Sequence, residues 1–324
     1  MNIKKIGMTA LAASLVSTSV FAGELTATGG ASLAFEGYSG TDLTSDSSFS
    51  MGDSVTLSGA TELDNGLTIT MAFELDGDSE ASSTTSAYDD NSLTISSDAM
   101  GTLKFSAHGG SSASSALDGT AAGDMFDNFD TGLTSLGAAT KAAGAGDNSF
   151  FYTTPSLVDG LTGTLSLNTT GDAGHHAMGF GVTYTGVDGL SMSYGSADVS
   201  GAGSTTSGDQ TVMKASYAVG SVTLAYTNSD YKIGTGATQA NEQEVTSYAV
   251  SYTVSDALSV TYGIESISSG LSTESDAEYS GISAAYTAGG MTLTAKNQFA
   301  DGILHTTAAD EDYDYWSLGL SFAF

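Results

Sequence analysis

Trp316-Ser317-Leu318-Gly319-Leu320-Ser321-Phe322-Ala323-Phe324 alternates without a break. Successive side chains of an extended strand point to opposite faces. Trp316, Leu318, Leu320, Phe322 and Phe324 therefore make one large apolar face, and Ser317, Gly319, Ser321 and Ala323 a small or polar one. In water, such a strand invites edge pairing and aggregation. It suits a boundary with lipid on one side and water on the other. A closed barrel is the sheet that satisfies its backbone there.

The same alternation recurs upstream. Sixteen strands are expected near 24–37, 49–62, 66–76, 90–98, 99–107, 148–155, 160–168, 177–186, 187–199, 209–219, 220–230, 244–254, 256–268, 276–287, 288–300 and 311–324. Leu67, Ile69, Met71, Phe73 and Leu75 oppose Thr68, Thr70, Ala72 and Glu74; Leu258, Val260, Tyr262 and Ile264 oppose Ser259, Thr261, Gly263 and Glu265. Short turn signals such as Asp64-Asn65-Gly66 and Gly289-Gly290 alternate with longer polar stretches. Seven short turns and eight longer loops join the sixteen strands, the pattern of an up-and-down transmembrane β-barrel. A soluble sandwich would also alternate, but would cover its apolar faces with a second sheet. A calcium-binding β-roll would need tandem nonapeptides, of which Gly144-Ala145-Gly146-Asp147 is a lone fragment.

Composition supports export. Lys4 and Lys5 precede a small apolar run ending at Val20-Phe21-Ala22, so 1–22 reads as a cleaved signal peptide and 23–324 as the barrel. No later apolar run reaches the length of a membrane helix. There is no cysteine, and Pro155 is the one proline; scarce proline suits long hydrogen-bonded strands. The chain carries 37 acids against seven lysines and no arginine. That excludes the basic face that nucleic-acid binding requires and suggests a field that draws cations toward a pore.

The third long loop, 108–147, is much the longest. Loops of that length are functional or disordered. It begins with low-complexity Gly109 to Ala116 and continues with Asp124-Met125-Phe126-Asp127-Asn128-Phe129-Asp130. Met125, Phe126 and Phe129 are placed to pin the loop to a wall, with Asp124, Asp127 and Asp130 turned to water, over one or two turns of helix.

Over its whole length the chain resembles a Gram-negative general diffusion porin, most similar to the alphaproteobacterial type. The resemblance rests on the signal peptide, a first strand like Glu24-Leu25-Thr26-Ala27-Thr28-Gly29-Gly30, sixteen strands and the enlarged third loop. It rests also on Asn148-Ser149-Phe150-Phe151-Tyr152-Thr153-Thr154-Pro155-Ser156 after that loop, and on the terminal Phe324. It implies a homotrimer in the outer membrane, a third loop folded into each barrel, and a C-terminal Phe324 read by the barrel-assembly machinery. The family commonly sets loop acids against arginines on the facing wall. Here Lys104, Lys214 and Lys296 share faces with small or polar residues, so three lysines take the lumen-facing basic positions. Lysine lacks the arginine fork, so a more uniformly negative passage is expected.

Other chemistry finds little support. His175-His176 has no third ligand of suitable spacing. The Asp-rich loops offer oxygens to calcium, but no twelve-residue EF-type loop occurs and no calcium site is assigned. No cofactor is expected. No Gly-x-Ser-x-Gly elbow or phosphate-binding loop is present. Tyr38, Tyr231, Tyr313, Tyr315, Tyr286 and Trp316 are expected in the interfacial girdles. The main reading is a cation-preferring, water-filled channel for small hydrophilic solutes. Asp118, Asp124, Asp127 and Asp130 are its loop charges, and Glu36, Glu74 and Glu265 its lumen-side acids. A substrate-specific channel, or a non-conducting structural or enzymatic barrel, is the alternative.

Overall fold

Hydrogen-bonding every backbone group inside lipid requires the sheet to close, and it does. The computed structural model describes residues 25–40, 47–76, 90–129, 147–169, 176–199, 208–233, 242–269, 275–303 and 312–324. The proposed signal peptide, Asp130, His175 and His305 lie outside them.

Sixteen strands form one closed antiparallel barrel in which each pairs with its sequence neighbours and the first pairs with the last. The first eight are β1 (Leu25–Gly40), β2 (Ser47–Glu62), β3 (Thr68–Asp76), β4 (Asn91–Ser97), β5 (Gly101–His108), β6 (Ser149–Thr153), β7 (Leu161–Thr169) and β8 (His176–Val187). The others are β9 (Leu190–Val199), β10 (Gly208–Val219), β11 (Val222–Ile233), β12 (Gln243–Ser255), β13 (Leu258–Ser269), β14 (Ala277–Ala288), β15 (Met291–Asp301) and β16 (Tyr313–Ala323). All sixteen coincide with the expected segments to within a few residues. Seven short connections gather at one end of the barrel, and the strand ends that the longer connections join lie at the other. No helix among the described residues is long and apolar enough to cross a membrane.

Closure is made by the C-terminal segment, Trp316 to Phe324. Leu33 pairs with Leu320, Glu36 with Ser317 and Gly37 with Trp316. Beyond the ladder, Gly29 N donates to Phe324 O at 2.9 Å and Phe324 N donates to Gly29 O at 3.0 Å. A Cβ on Gly29 would lie 2.8 Å from the Phe324 ring, and one on Gly37 2.7 Å from the Trp316 indole. Glycine at these two positions lets the aromatic rings of Trp316 and the terminal Phe324 lie against β1. Phe35, packed on Trp316 at 5.0 Å and on Phe49 at 4.6 Å, completes an outward aromatic patch over the seam.

The outward face is apolar almost throughout: Leu318, Phe322, Tyr262, Ile264, Met71 and Phe180 are all exposed. The buried residues lie inside the barrel instead, where Met125, Phe126, Phe129, Val245, Ile267, Tyr279, Tyr313 and Tyr315 form one cluster. This inverts a soluble protein, because the long third loop supplies the interior packing and lipid takes the outside.

Four expected girdle tyrosines belong to that interior. Tyr313 and Tyr315 are buried, Tyr38 packs on Tyr315 at 5.0 Å, and Tyr231 shares the inward parity of buried Thr227 and Ser229. Residue type drew attention to the outer interface, but strand parity turns these side chains inward. Trp316 and Tyr286 do face outward.

Candidate functional site

The third loop leaves β5 and turns into the lumen in two anchored stretches. The first is the low-complexity one. Ser112, Ala113 and Ser114 are buried. Ala113 N donates to Ser166 Oγ at 2.9 Å, and Ser114 Oγ to Gln210 Oε1 at 2.7 Å. Small residues let the loop backbone approach the wall. The wall reciprocates at Gly195, where a Cβ would lie 2.8 Å from Ala113 O.

The second stretch is a 3-10 turn, Met125–Phe129, shorter than the expected one or two helical turns. Its apolar residues act as expected: Met125, Phe126 and Phe129 are buried. Phe129 lies between Tyr279 (5.6 Å) and Tyr315 (6.1 Å). Burying such a side chain is worth about 1.5–3 kcal/mol.

Glu265 holds the start of this turn. Its carboxylate accepts from Met125 N at 2.8 Å, from Phe126 N at 3.4 Å and from the Thr120 hydroxyl. Ala122 N donates to Ser247 Oγ at 2.9 Å, and Asn128 Nδ2 to Gln298 Oε1 at 2.9 Å. These partners sit on β7, β10, β12, β13 and β15, one continuous arc of the wall.

The expected site residues separate into distinct positions. Asp124, at φ +51, folds back so that its Oδ1 accepts from Thr120 N at 2.8 Å. It is half-buried rather than turned fully to water. Asp127 is exposed. Asp118 is half-buried and hydrogen-bonds Gln210. The three acids line a cavity of about 150 Å³ between loop and wall. Asp130 lies outside the described residues. Lys214 faces inward and donates from Nζ to Gly119 O at 2.6 Å, close to Asp118 and Asp124.

Glu36 faces inward and accepts from Tyr315 Oη at 2.9 Å. Glu74 and Lys104 share the inward parity of Thr70 and buried Ser106 on β3 and β5; Lys104 lies level with the loop partner Ser166 two strands away. Lys296 lies inward on β15, two positions from buried Gln298. Glu265 corrects one expectation: at 3% exposure it is covered by the loop, so it is a docking residue and not an open lumen charge. Among the described residues no group of three His, Cys, Asp or Glu side chains is arranged to hold a metal ion.

Composition hid Ser112, Ser114, Gln210 and Ser166 as contacts, because a Gly/Ser/Ala run reads as unstructured. The available signal was glycine at inward mid-strand positions. Gly195 faces Ala113 and Gly263 faces Ala122, so the missing side chains mark where the loop lies against the wall.

A closed barrel narrowed by an inward loop is a passage lined by fixed charges. A sequence profile of the Gram-negative porin family matches residues 7–324. Comparison with curated protein sequences finds no match. Among solved structures, an anion-selective porin from Comamonas acidovorans is similar at TM-score 0.66 and 18% identity, covering 93% of this chain and 99% of that one. A porin refined at 1.8 Å resolution matches at TM-score 0.66 and 17% identity, with 93% and 100% covered. A substituted Rh. blastica porin matches at TM-score 0.65 and 17% identity, again with 93% and 100% covered. These likenesses concern the fold, but the profile spans nearly the whole sequence, and the chain therefore belongs to the Gram-negative porin family.

Proposed function

We propose that this porin lets small hydrophilic solutes and ions diffuse passively across the outer membrane and prefers cations. Family membership supplies the coarser part: an outer-membrane channel, not an enzyme. The preference rests on one observation. Among the described residues, Asp118, Asp124 and Asp127 gather on the loop with one base beside them, Lys214, which is tied to a loop carbonyl. Selectivity follows the sign of the charge lining a constriction. The Comamonas porin is anion-selective by name, but a fold shared at such low identity does not carry pore charges with it. Reversal potential across a planar bilayer in a salt gradient tests the proposal. Cation preference supports it, anion preference refutes it, and absence of conductance refutes the channel itself.

The same loop makes the preference sensitive to pH. Burial raises the Asp118 carboxyl above its ordinary 3.8, and neighbouring Asp124 adds to the rise; Gln210 and Lys214 pull it part of the way back. The folded site thus binds its proton at higher pH than the unfolded chain does. As pH falls toward 3.8 from above, Asp118 is neutralised before an exposed aspartate would be. Cation preference weakens in that window. Stability moves oppositely: the penalty of the buried charge applies above the folded pKa and is relieved below it, so acidification tightens loop docking. Reversal potentials at neutral pH and at about pH 4 measure the effect. Asp118→Asn is expected to reduce the pH response, and an unchanged response in that variant excludes Asp118 as its source.

Two further roles belong to this reading. A homotrimer is supported by Asp53, which faces outward between exposed Met51 and Val55. A carboxylate against hydrocarbon is costly, and a neighbouring copy over the β1–β2 face removes it from lipid. Heat-dependent migration in detergent gels checks this: a single monomer band in unheated samples argues against it. Phe324, with the hydrogen bonds that it shares with Gly29, is assigned as the residue read by the barrel-assembly machinery. Deleting it is expected to lower the amount of barrel in the outer membrane, measured by fractionation.

A further inference from the structure

The outward face carries a groove that conduction does not use. It lies across β12 to β16 near the long-loop end. Adjacent strands align their outward residues in a row: Tyr248 opposite Ile264, Ile264 opposite Ser280, Ser280 opposite Phe299 and Phe299 opposite Asp314. Ser280 is the small member of the row, so a notch opens between Ile264 and Phe299. The notch belongs to a cavity of about 560 Å³. Two residues nearer the long loops, and on the same face, Glu278 stands directly opposite Asp301. Like charges opposed across a ladder repel, and among the described residues no lysine or arginine lines the groove.

We propose that this groove binds a membrane lipid whose headgroup carries a primary ammonium. Its acyl chain lies along Tyr248, Ile264 and Phe299, and its nitrogen sits among Glu278, Asp301 and Asp314. Three features select this occupant. The apolar floor is continuous with the lipid-facing surface, so an acyl chain reaches it without crossing water. The acids stand at the strand ends, Glu278 second in β14 and Asp301 last in β15, where headgroups meet the barrel. The charge is wholly negative, so an ammonium relieves the Glu278–Asp301 repulsion through charge-assisted hydrogen bonds, whereas a headgroup with phosphate alone adds to it. The site is outside the lumen and takes from the channel reading only that this face meets lipid.

The test is lipid retention by native mass spectrometry, with purified full-length protein in chelator and equal phosphatidylethanolamine and phosphatidylglycerol. Both lipids carry the phosphate; one carries the amine. Phosphatidylethanolamine is expected at about tenfold higher occupancy. The double variant Glu278→Gln, Asp301→Asn is expected to lose that preference, and Ser280→Phe, which fills the notch, to retain less of both lipids. Equal occupancy in the native protein, or an undisturbed preference in the double variant, overturns the proposal. So does phosphatidylglycerol binding that appears on adding calcium, which assigns the acids to a cation bridge. Conductance of the same preparations separates failure of this site from failure of the channel.

Discussion

Phe129→Ala is expected to raise single-channel conductance and to make it fluctuate. The ring is 2% exposed and lies between Tyr279 and Tyr315. Truncating a buried phenylalanine costs about 3–5 kcal/mol. The barrel strands keep their own hydrogen bonds, so the loss falls on loop docking. A loop that leaves the arc of β7 to β15 for part of the time widens the passage for that time. Glu265→Ala is expected to act in the same direction. It strands Met125 N, Phe126 N and the Thr120 hydroxyl, at about 1–3 kcal/mol for each buried donor left unpaired. Planar-bilayer recordings of folded protein report both variants. Conductance unchanged from the parent in both would mean that this stretch of loop does not bound the passage.

Replacing Asp118, Asp124 and Asp127 together with Asn is expected to abolish most of the cation preference. A unit charge about 4 Å from a permeating ion is worth about 1 kcal/mol in a water-like dielectric, or about fivefold in local concentration. Among the described residues, removing three acids leaves Lys214 as the open charge beside this part of the loop, with Lys104 and Lys296 elsewhere in the lumen. The reversal potential then moves toward zero or beyond it. A variant that keeps the full preference would shift the selecting charge to other acids, with Glu36 and Glu74 next to be tested. Glu265 is not among them, because the loop covers it.

The contrast between Glu265 and Glu74 shows how far the chain could be read by parity. Both alternate with apolar neighbours, so parity places both on the water side of their strands. Parity assigns a face but not what covers it. Glu265 meets the loop, while Glu74 lies on β3 across the lumen. The tyrosines teach the complementary lesson. Residue type places Tyr313 and Tyr315 at the interface, whereas their parity matches that of Ser317 on the lumen side. Ser112 and Ser114 were legible only indirectly, because small hydroxyl residues serve a tight contact and an unstructured loop equally well.

Strand number, pairing order and the lipid-facing side were determined by sequence alone. Alternation with period two is local, and an antiparallel barrel pairs each strand with its neighbour in the chain. The segment Trp316 to Phe324 carried most of that information, and Gly29 and Gly37 explain its closing partner. Which charges remain open to the passage was decided only by tertiary structure. The loop from β5 meets strands far along the chain, and those contacts depend on fitted volumes and paired donors that no local pattern encodes. Burial of Glu265, retention of Lys214 on the loop and the gathering of Asp118, Asp124 and Asp127 all follow from where that loop docks.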